Sequence, residues 1–343
     1  MKSVRLKPIS AQTIVITGAS SGIGRATAEA AVKAGASVVL SARNVDALNT
    51  VRRSLEADGG AVETVPADIA DDDAAATIAD AAIARFGGFD TWVNNAAAAT
   101  VGRLTATSID DQRRSFDVGY WGMVRGSLAA VEHLQAKGGA LINIGSIASD
   151  RAVLLQGPYG AMKHAVKGFT DALRTEVEAD DLGVSVTLVR PAAMHTPFPE
   201  HARNLTGHPV TLPPVIYDPR LVAKAILFAA SHPRRTLSVG GTGVFATLLA
   251  QHFPRVTDRV LEAFGETLQT TDQHPPADRV DNLWASRADA IDGAQRTYVR
   301  HQSLWLELQM RPWLAATVAG VAAAAISQIG RAGDRTNRSS HRK

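Results

Sequence analysis

The chain has 343 residues, 45% of them hydrophobic and 20% charged, enough to bury the core of one large α/β domain or two small ones. Its 36 basic and 33 acidic side chains leave a formal net charge of only +3, which argues against nucleic acid as a partner. It holds no cysteine, which excludes disulfides and thiolate metal sites, and its ten histidines show no HExxH-type pairing, so no metal is expected. The opening residues MKSVRLKPIS lack an apolar core of signal-peptide length, and the cytoplasm is the expected location.

Over the first 240 residues, short β-branched runs alternate with Ala-rich amphipathic stretches, the pattern of repeated βαβ units. Strands are predicted at Thr13–Thr17, Ser37–Ser41, Ala61–Pro66, Thr91–Asn94, Ala140–Ile144, Val184–Val189 and Thr236–Val239. Helices are predicted between them at Ile23–Ala34, Val45–Ala57, Asp71–Phe86, Gln112–Lys137, Tyr159–Asp180 and Pro219–Ser231. TIVIT, SVVL and ALINI are almost wholly apolar, as strands covered on both faces are. The fold class is α/β, a doubly wound parallel sheet, whose ligands bind outside the carboxyl ends of the strands.

Beyond Gly243 the pattern becomes helical: a stretch around Val244–Phe264, a polar loop stopped by Pro275 and Pro276, then a long helix from about Ala290 to Ile329 with a break at Pro312. The division expected is therefore a catalytic domain over 10–243, a helical extension over 244–330 and a basic, disordered tail over 331–343. Residues 313–329, WLAATVAGVAAAAISQI, carry no charge. They read either as a helix that meets a membrane surface or as one that packs on protein through its small residues.

TGASSGIG, residues 17–24, follows the first strand and opens the first helix. Thr17, Gly18, Ser20, Ser21, Gly22, Ile23 and Gly24 would make a tight turn that brings backbone close to a phosphate, which then meets the positive end of the helix. YGAMK sets Tyr159 and Lys163 four residues apart on one helical face, where an ammonium would lower the phenol pKa and fit it for proton exchange with a carbonyl or alcohol oxygen. Ser146, thirteen residues upstream in NIGSIAS, would emerge on the same carboxyl edge and hold the substrate oxygen.

With these motifs the chain resembles the short-chain dehydrogenase/reductase family over roughly residues 10 to 240. The resemblance implies a Rossmann fold and an oxidoreductase that transfers hydride between NADP(H) and a carbonyl or secondary alcohol, with Ser146, Tyr159 and Lys163 catalytic. Tyr159 and Lys163 would also touch the cofactor, Lys163 through the nicotinamide ribose. Arg43 stands at the end of the second strand, where an NAD-specific protein has an acid, and so favours NADP, with Arg25 as a helper. Asp68, followed by Ile69, resembles the acid that contacts adenine. NNAA supplies Asn94, Asn95 and Ala96, with Ala97 in place of the usual glycine; Pro191 and Thr196 would lie near the nicotinamide, with Ala192 in place of a glycine. Family members commonly pair through the helices that carry positions 119 and 159, so a homo-oligomer, a dimer or tetramer, is expected.

The resemblance also exposes a departure. The family's catalytic asparagine, in a pattern like DVNxxG, aligns with Gly119 in SFDVGYWG. Three consequences are open: a water fills the vacated volume and preserves the proton relay; another side chain reaches in, although Ser115 and Tyr120 point elsewhere; or the protein binds NADP as a regulator or scaffold with little turnover. The first is expected, because Ser146, Tyr159 and Lys163 are intact. The loop from His195 to Pro214 would be a lid whose Phe198, Leu205, Val210 and Leu212 suggest an apolar substrate. Tyr217–Leu227 would lie beside the cleft, and His195 is a candidate second acid/base group.

Overall fold

The computed structural model describes residues 4–273, 280–287 and 290–311, together with Trp313 and Thr317. Seven strands, β1 Thr13–Thr17, β2 Ser37–Ala42, β3 Val62–Pro66, β4 Thr91–Asn94, β5 Gly139–Ile144, β6 Val184–Pro191 and β7 Thr236–Val239, form one parallel sheet. Their order is β3-β2-β1-β4-β5-β6-β7, so the order in which the chain adds strands reverses between β1 and β4 and opens a crevice there.

Alternation along each strand separates two apolar layers. Ile14, Ile16, Val38 and Leu40 pack on α1 (Gly22–Lys33), α2 (Val45–Ala57) and α8 (Arg220–Ser231). Val15 and Val39 face the other way, among residues of α3 (Ala74–Phe86), α5 (Gly122–Leu134) and α6 (Gly157–Ala179). Asn94 ties the centre of the sheet together: it is buried, accepts from the Trp92 indole at 2.7 Å, and donates to Ser127 at 3.0 Å and to Asn143 at 2.8 Å. Its role here is structural, the side chain being fully engaged below the crevice.

The helix expected over Gln112–Lys137 is divided. α4 runs Ile109–Phe116, started by the Ser108 hydroxyl accepting from the Asp111 amide, and a single π turn, Asp117–Trp121, joins it to α5. Such turns recur at functional sites. The third helix begins at Ala74, later than expected, and a short α7 (Phe198–His201) follows β6.

Past β7 the chain departs further from expectation. The stretch around Val244–Phe264 is two helices, α9 (Gly241–His252) and α10 (Pro254–Phe264), broken at Phe253 because the residue before a proline is pushed out of helical geometry. Residues 290–303 are not helical. Val299 and Arg300 pair with Ile216 and Tyr217, Asp292 accepts two bonds from Arg220 at 2.9 Å each, and a helix, α11 (Leu304–Met310), starts only where Ser303 caps Leu306. Tertiary partners thus override the helical pattern of this segment. No helix among the described residues is long and apolar enough to cross a membrane. The candidate membrane helix over 313–329, apart from Trp313 and Thr317, and the basic tail over 331–343 lie outside the described residues.

Candidate active site

The residues that follow the carboxyl ends of β1 to β6 surround one cavity of about 440 Å³, within the size range of small-molecule sites. Of the residues proposed for the site from sequence, Ser146, Tyr159, Lys163 and the cofactor-binding set lie on its wall except Gly24, while Arg25, Asn94 and His195 do not. Gly24 sits behind the turn, where any β-carbon would overlap the Gly18 carbonyl oxygen, so its contribution is close packing.

Around the glycine-rich turn, Thr17, Gly18, Ser20, Ser21, Gly22 and Ile23 line the cavity between the end of β1 and the start of α1. Gly18 has φ of +66°, the left-handed region, which a side chain would strain. The Thr17 hydroxyl accepts from the amides of Asn95 at 3.0 Å and Ala96 at 3.1 Å, and Asn95 donates through Nδ2 to the Thr17 and Gly18 carbonyls. These bonds lock β1 and β4 at the reversal of the strand order. Ile69, Ala97, Pro191 and Thr196 also line the cavity.

Arg43 faces the cavity beyond β2, near Asp68 at 3.8 Å. Burial lowers the Arg43 pKa, opposed by the Asp68 carboxylate. Its guanidinium donates to the carbonyls of Asn282, Leu283 and Trp284, in the segment beyond α10. Asp68 is paired with Arg114 as well. Arg25 is no helper here: it bonds Glu29 one turn along α1 at 3.1 Å and does not reach the cavity.

Ser146 emerges just past β5, and Tyr159 and Lys163 stand one turn apart near the start of α6. The Ser146 hydroxyl accepts from the Ala148 amide at 3.1 Å, which fixes its rotamer, and it lies close enough to Tyr159 to oppose the rise in the phenol's pKa. The Lys163 ammonium is buried, donates to the Ile144 carbonyl at 2.7 Å and lies 5.8 Å from the centre of the Tyr159 ring. Burial depresses the Lys163 pKa to about 8. Burial also raises the Tyr159 phenol above its ordinary value, with the Ser146 hydroxyl opposing. The phenol is therefore not drawn toward neutrality in this structure, contrary to the expectation from the Tyr/Lys spacing, because the loss of solvation dominates.

At Gly119, in the π turn, the space beside the glycine is occupied by protein. A β-carbon there would overlap the sulfur of Met162, whose side chain is fully buried. Another side chain does reach in, and it is neither Ser115 nor Tyr120: Ser115 bonds the Asp111 carbonyl and Tyr120 packs edge-on to Phe169. Met162 escaped the sequence reading although it lies next to Lys163 in YGAMK, since a contact between facing helices leaves no periodic trace.

Two further expectations change. His195 does not line the cavity; its Nε2 is 2.9 Å from the Gln295 carbonyl and its Nδ1 is 4.0 Å from Asp292. Tyr217–Leu227 does not flank the cleft either, because α8 packs on α1 and Tyr217 is buried against Gly240. Of the lid's apolar residues, Phe198 and Leu212 line the cavity and Leu205 and Val210 do not. α9 and α10 add Ala246, Ala250 and Leu261, which the sequence pattern had not placed there.

The family model for short chain dehydrogenases matches residues 12–205, more than half of the chain. The "Uncharacterized oxidoreductase YxnA" of Bacillus subtilis (strain 168) is 40% identical over 325 residues, covering 93% of this chain and 91% of its own length. A short-chain dehydrogenase structure from Streptomyces avermitilis aligns with TM-score 0.60 at 27% identity, covering 74% of this chain and 97% of its own. The L-sorbose reductase of Gluconobacter frateurii, solved with NADPH and L-sorbose, aligns with TM-score 0.59 at 25% identity, covering 69% of this chain and 96% of its own. Sheet order, cleft and relatives agree, and this chain belongs to the short-chain dehydrogenase family of oxidoreductases.

Proposed function

We propose that the protein is an NADP(H)-dependent oxidoreductase acting on a carbonyl or secondary alcohol through Ser146, Tyr159 and Lys163. The observation that carries this reading is the convergence of those three side chains on one cavity, with the buried Lys163 tied to the Ile144 carbonyl.

The residues present fit a nicotinamide dinucleotide. The start of α1 turns the positive end of its dipole toward an anion, the Gly22 amide being held by the Ala290 carbonyl, and Arg43 adds a guanidinium suited to a ribose phosphate. The bound nicotinamide would supply or accept the hydride. Thr17, Gly18, Ser20, Ser21, Gly22 and Ile23 would hold the phosphates, Asp68, Ile69, Asn95 and Ala96 the adenosine end and the bridge across the sheet, and Pro191 and Thr196 the nicotinamide end.

In the direction of reduction, the substrate oxygen takes a proton from the Tyr159 hydroxyl, which its raised pKa keeps protonated at neutral pH. The Ser146 hydroxyl donates to the same oxygen and holds it against Tyr159. Lys163, with a pKa of about 8, is mostly charged at neutral pH and stabilises the phenolate left behind. Phe198, Leu212, Ala246, Ala250 and Leu261 give the substrate end an apolar wall, which supports an apolar substrate.

A second reading has one observation in its favour. The Met162 thioether fills the place of the family's asparagine and is only a weak acceptor, so a chain that binds NADP with little turnover, as a regulator or scaffold, fits the same cleft. Turnover of NADPH with ketones and aldehydes, compared between wild type and Tyr159→Phe, separates the two.

A further inference from the structure

We propose that residues 280–287 and 290–295 are a clamp across the dinucleotide cleft, with Ser286 and Arg287 forming a phosphate-facing wall that the matched family region, residues 12–205, does not contain. This inference rests on the reading of the cleft as a dinucleotide site.

The segment is anchored on both banks of the cleft. On the β2 bank, Arg43 donates to three successive carbonyls, those of Asn282, Leu283 and Trp284. Arg114 donates to the Leu283 carbonyl at 3.1 Å, the Trp284 indole donates to Asp111 at 2.8 Å, and the Leu283 side chain is fully buried in the layer of α3, α5 and α6. On the β6 bank, the Asn282 amide donates to the His201 carbonyl at 2.9 Å, and the Arg287 guanidinium donates to the Glu200 carbonyl at 3.1 Å. Further along, Ile291 is buried against Ala26 of α1 and Ala223 of α8, and Asp292 takes two bonds from Arg220. Between the banks, the Ala290 carbonyl accepts from the Gly22 amide at 3.1 Å, at the first residue of α1.

The clamp crosses the glycine-rich turn without filling the cleft. Asn282, Ser286 and Arg287 line the same cavity as Ser20, Ser21 and Arg43, so space remains beneath the segment. Arg287 therefore stands at a wall that already carries a helix N-terminus and a second arginine. The wall also carries Arg151, Lys163 and the Asp68 carboxylate; this excess of cations and the helix dipole around one space favour an anion with several oxygens, the chemistry of a dinucleotide's phosphates. A nucleotide enclosed in this way enters and leaves only when the clamp opens.

The test measures dissociation constants and release rates of NADPH and NADH for the full chain, wild type and two variants. Arg287→Gln weakens both nucleotides about tenfold, as loss of one charge-assisted contact does. Trp284→Phe, outside the cavity, removes the bond to Asp111 and raises the release rate about tenfold. In wild type, bound NADPH slows tryptic cleavage after Arg287, a readout that needs no variant to fold. Wild-type affinity and release rate in both variants overturn the clamp while leaving the dinucleotide reading intact. Tighter binding by Trp284→Phe also overturns it, since the segment would then be a plug. If wild type binds neither nucleotide, the clamp and the reading beneath it fall together.

Discussion

Gly119 and Met162 share one space: the glycine sits in the π turn between α4 and α5, and the buried thioether of Met162, from α6, lies where a β-carbon at 119 would stand. The pair locks two helices together at the point where the family pattern places a polar side chain. Met162 is unbranched and adaptable, which suits it to fill an irregular gap, but it carries no strong hydrogen-bonding group.

Gly119→Asn alone is accordingly expected to overpack this contact and lower stability by about 1–3 kcal/mol. Adding Met162→Ser should recover part of that loss, giving a coupling of about 0.5–3 kcal/mol in a double-mutant cycle followed by urea unfolding. A single variant as stable as wild type would mean that the two residues do not compete for space.

Lys163 should leave a signature in the pH dependence of stability. Its pKa is about 8 in the folded chain, against an ordinary value of 10.5, so between those values the unfolded chain binds more protons. The cost of burying the charge is fully present below about pH 8 and is relieved as pH rises toward 10.5. Wild type should therefore gain stability relative to Lys163→Met across that window, measured by chemical denaturation of the nucleotide-free protein. Parallel curves would show that Lys163 titrates normally.

Arg43 is expected to set cofactor preference. Arg43→Ala should weaken NADPH about 10- to 100-fold more than NADH, the size of one guanidinium–phosphate interaction. Titration of both nucleotides measures the ratio. An equal loss for both would show that Arg43 acts only as an anchor for residues 282–284.

The exposed faces of Trp121 and Leu128, on the π turn and α5, suit the helix pairing implied by the family resemblance. We expect a homo-oligomer of at least twice the 36.2 kDa chain mass, measured by light scattering after gel filtration. Leu128→Lys should shift it toward the single chain. A monomeric wild type would rule out this surface as an interface.

What was legible in the sequence was local. The apolar runs TIVIT and SVVL, the turn TGASSGIG and the spacing from Ser146 to Tyr159 and Lys163 each depend on neighbours along the chain; the runs fall on strands of the observed sheet, and the turn (apart from Ala19 and Gly24) and the three side chains fall on one cavity. What was not legible depends on distant partners. Arg43 meets carbonyls some 240 positions away, the helical pattern after Ala290 yields to pairing with Ile216 and Tyr217, and Met162 reaches Gly119 across two helices. The break at Phe253 was available in principle, because Pro254 follows it directly.

The most direct measurement is NADPH oxidation, followed by absorbance, across a panel of apolar ketones and aldehydes with wild type and Tyr159→Phe. The account predicts turnover by wild type on at least one substrate and a loss of about 10²- to 10⁴-fold in kcat for the variant, with NADPH affinity unchanged. Equal inactivity of the two proteins on every substrate, with NADPH still bound, would contradict it.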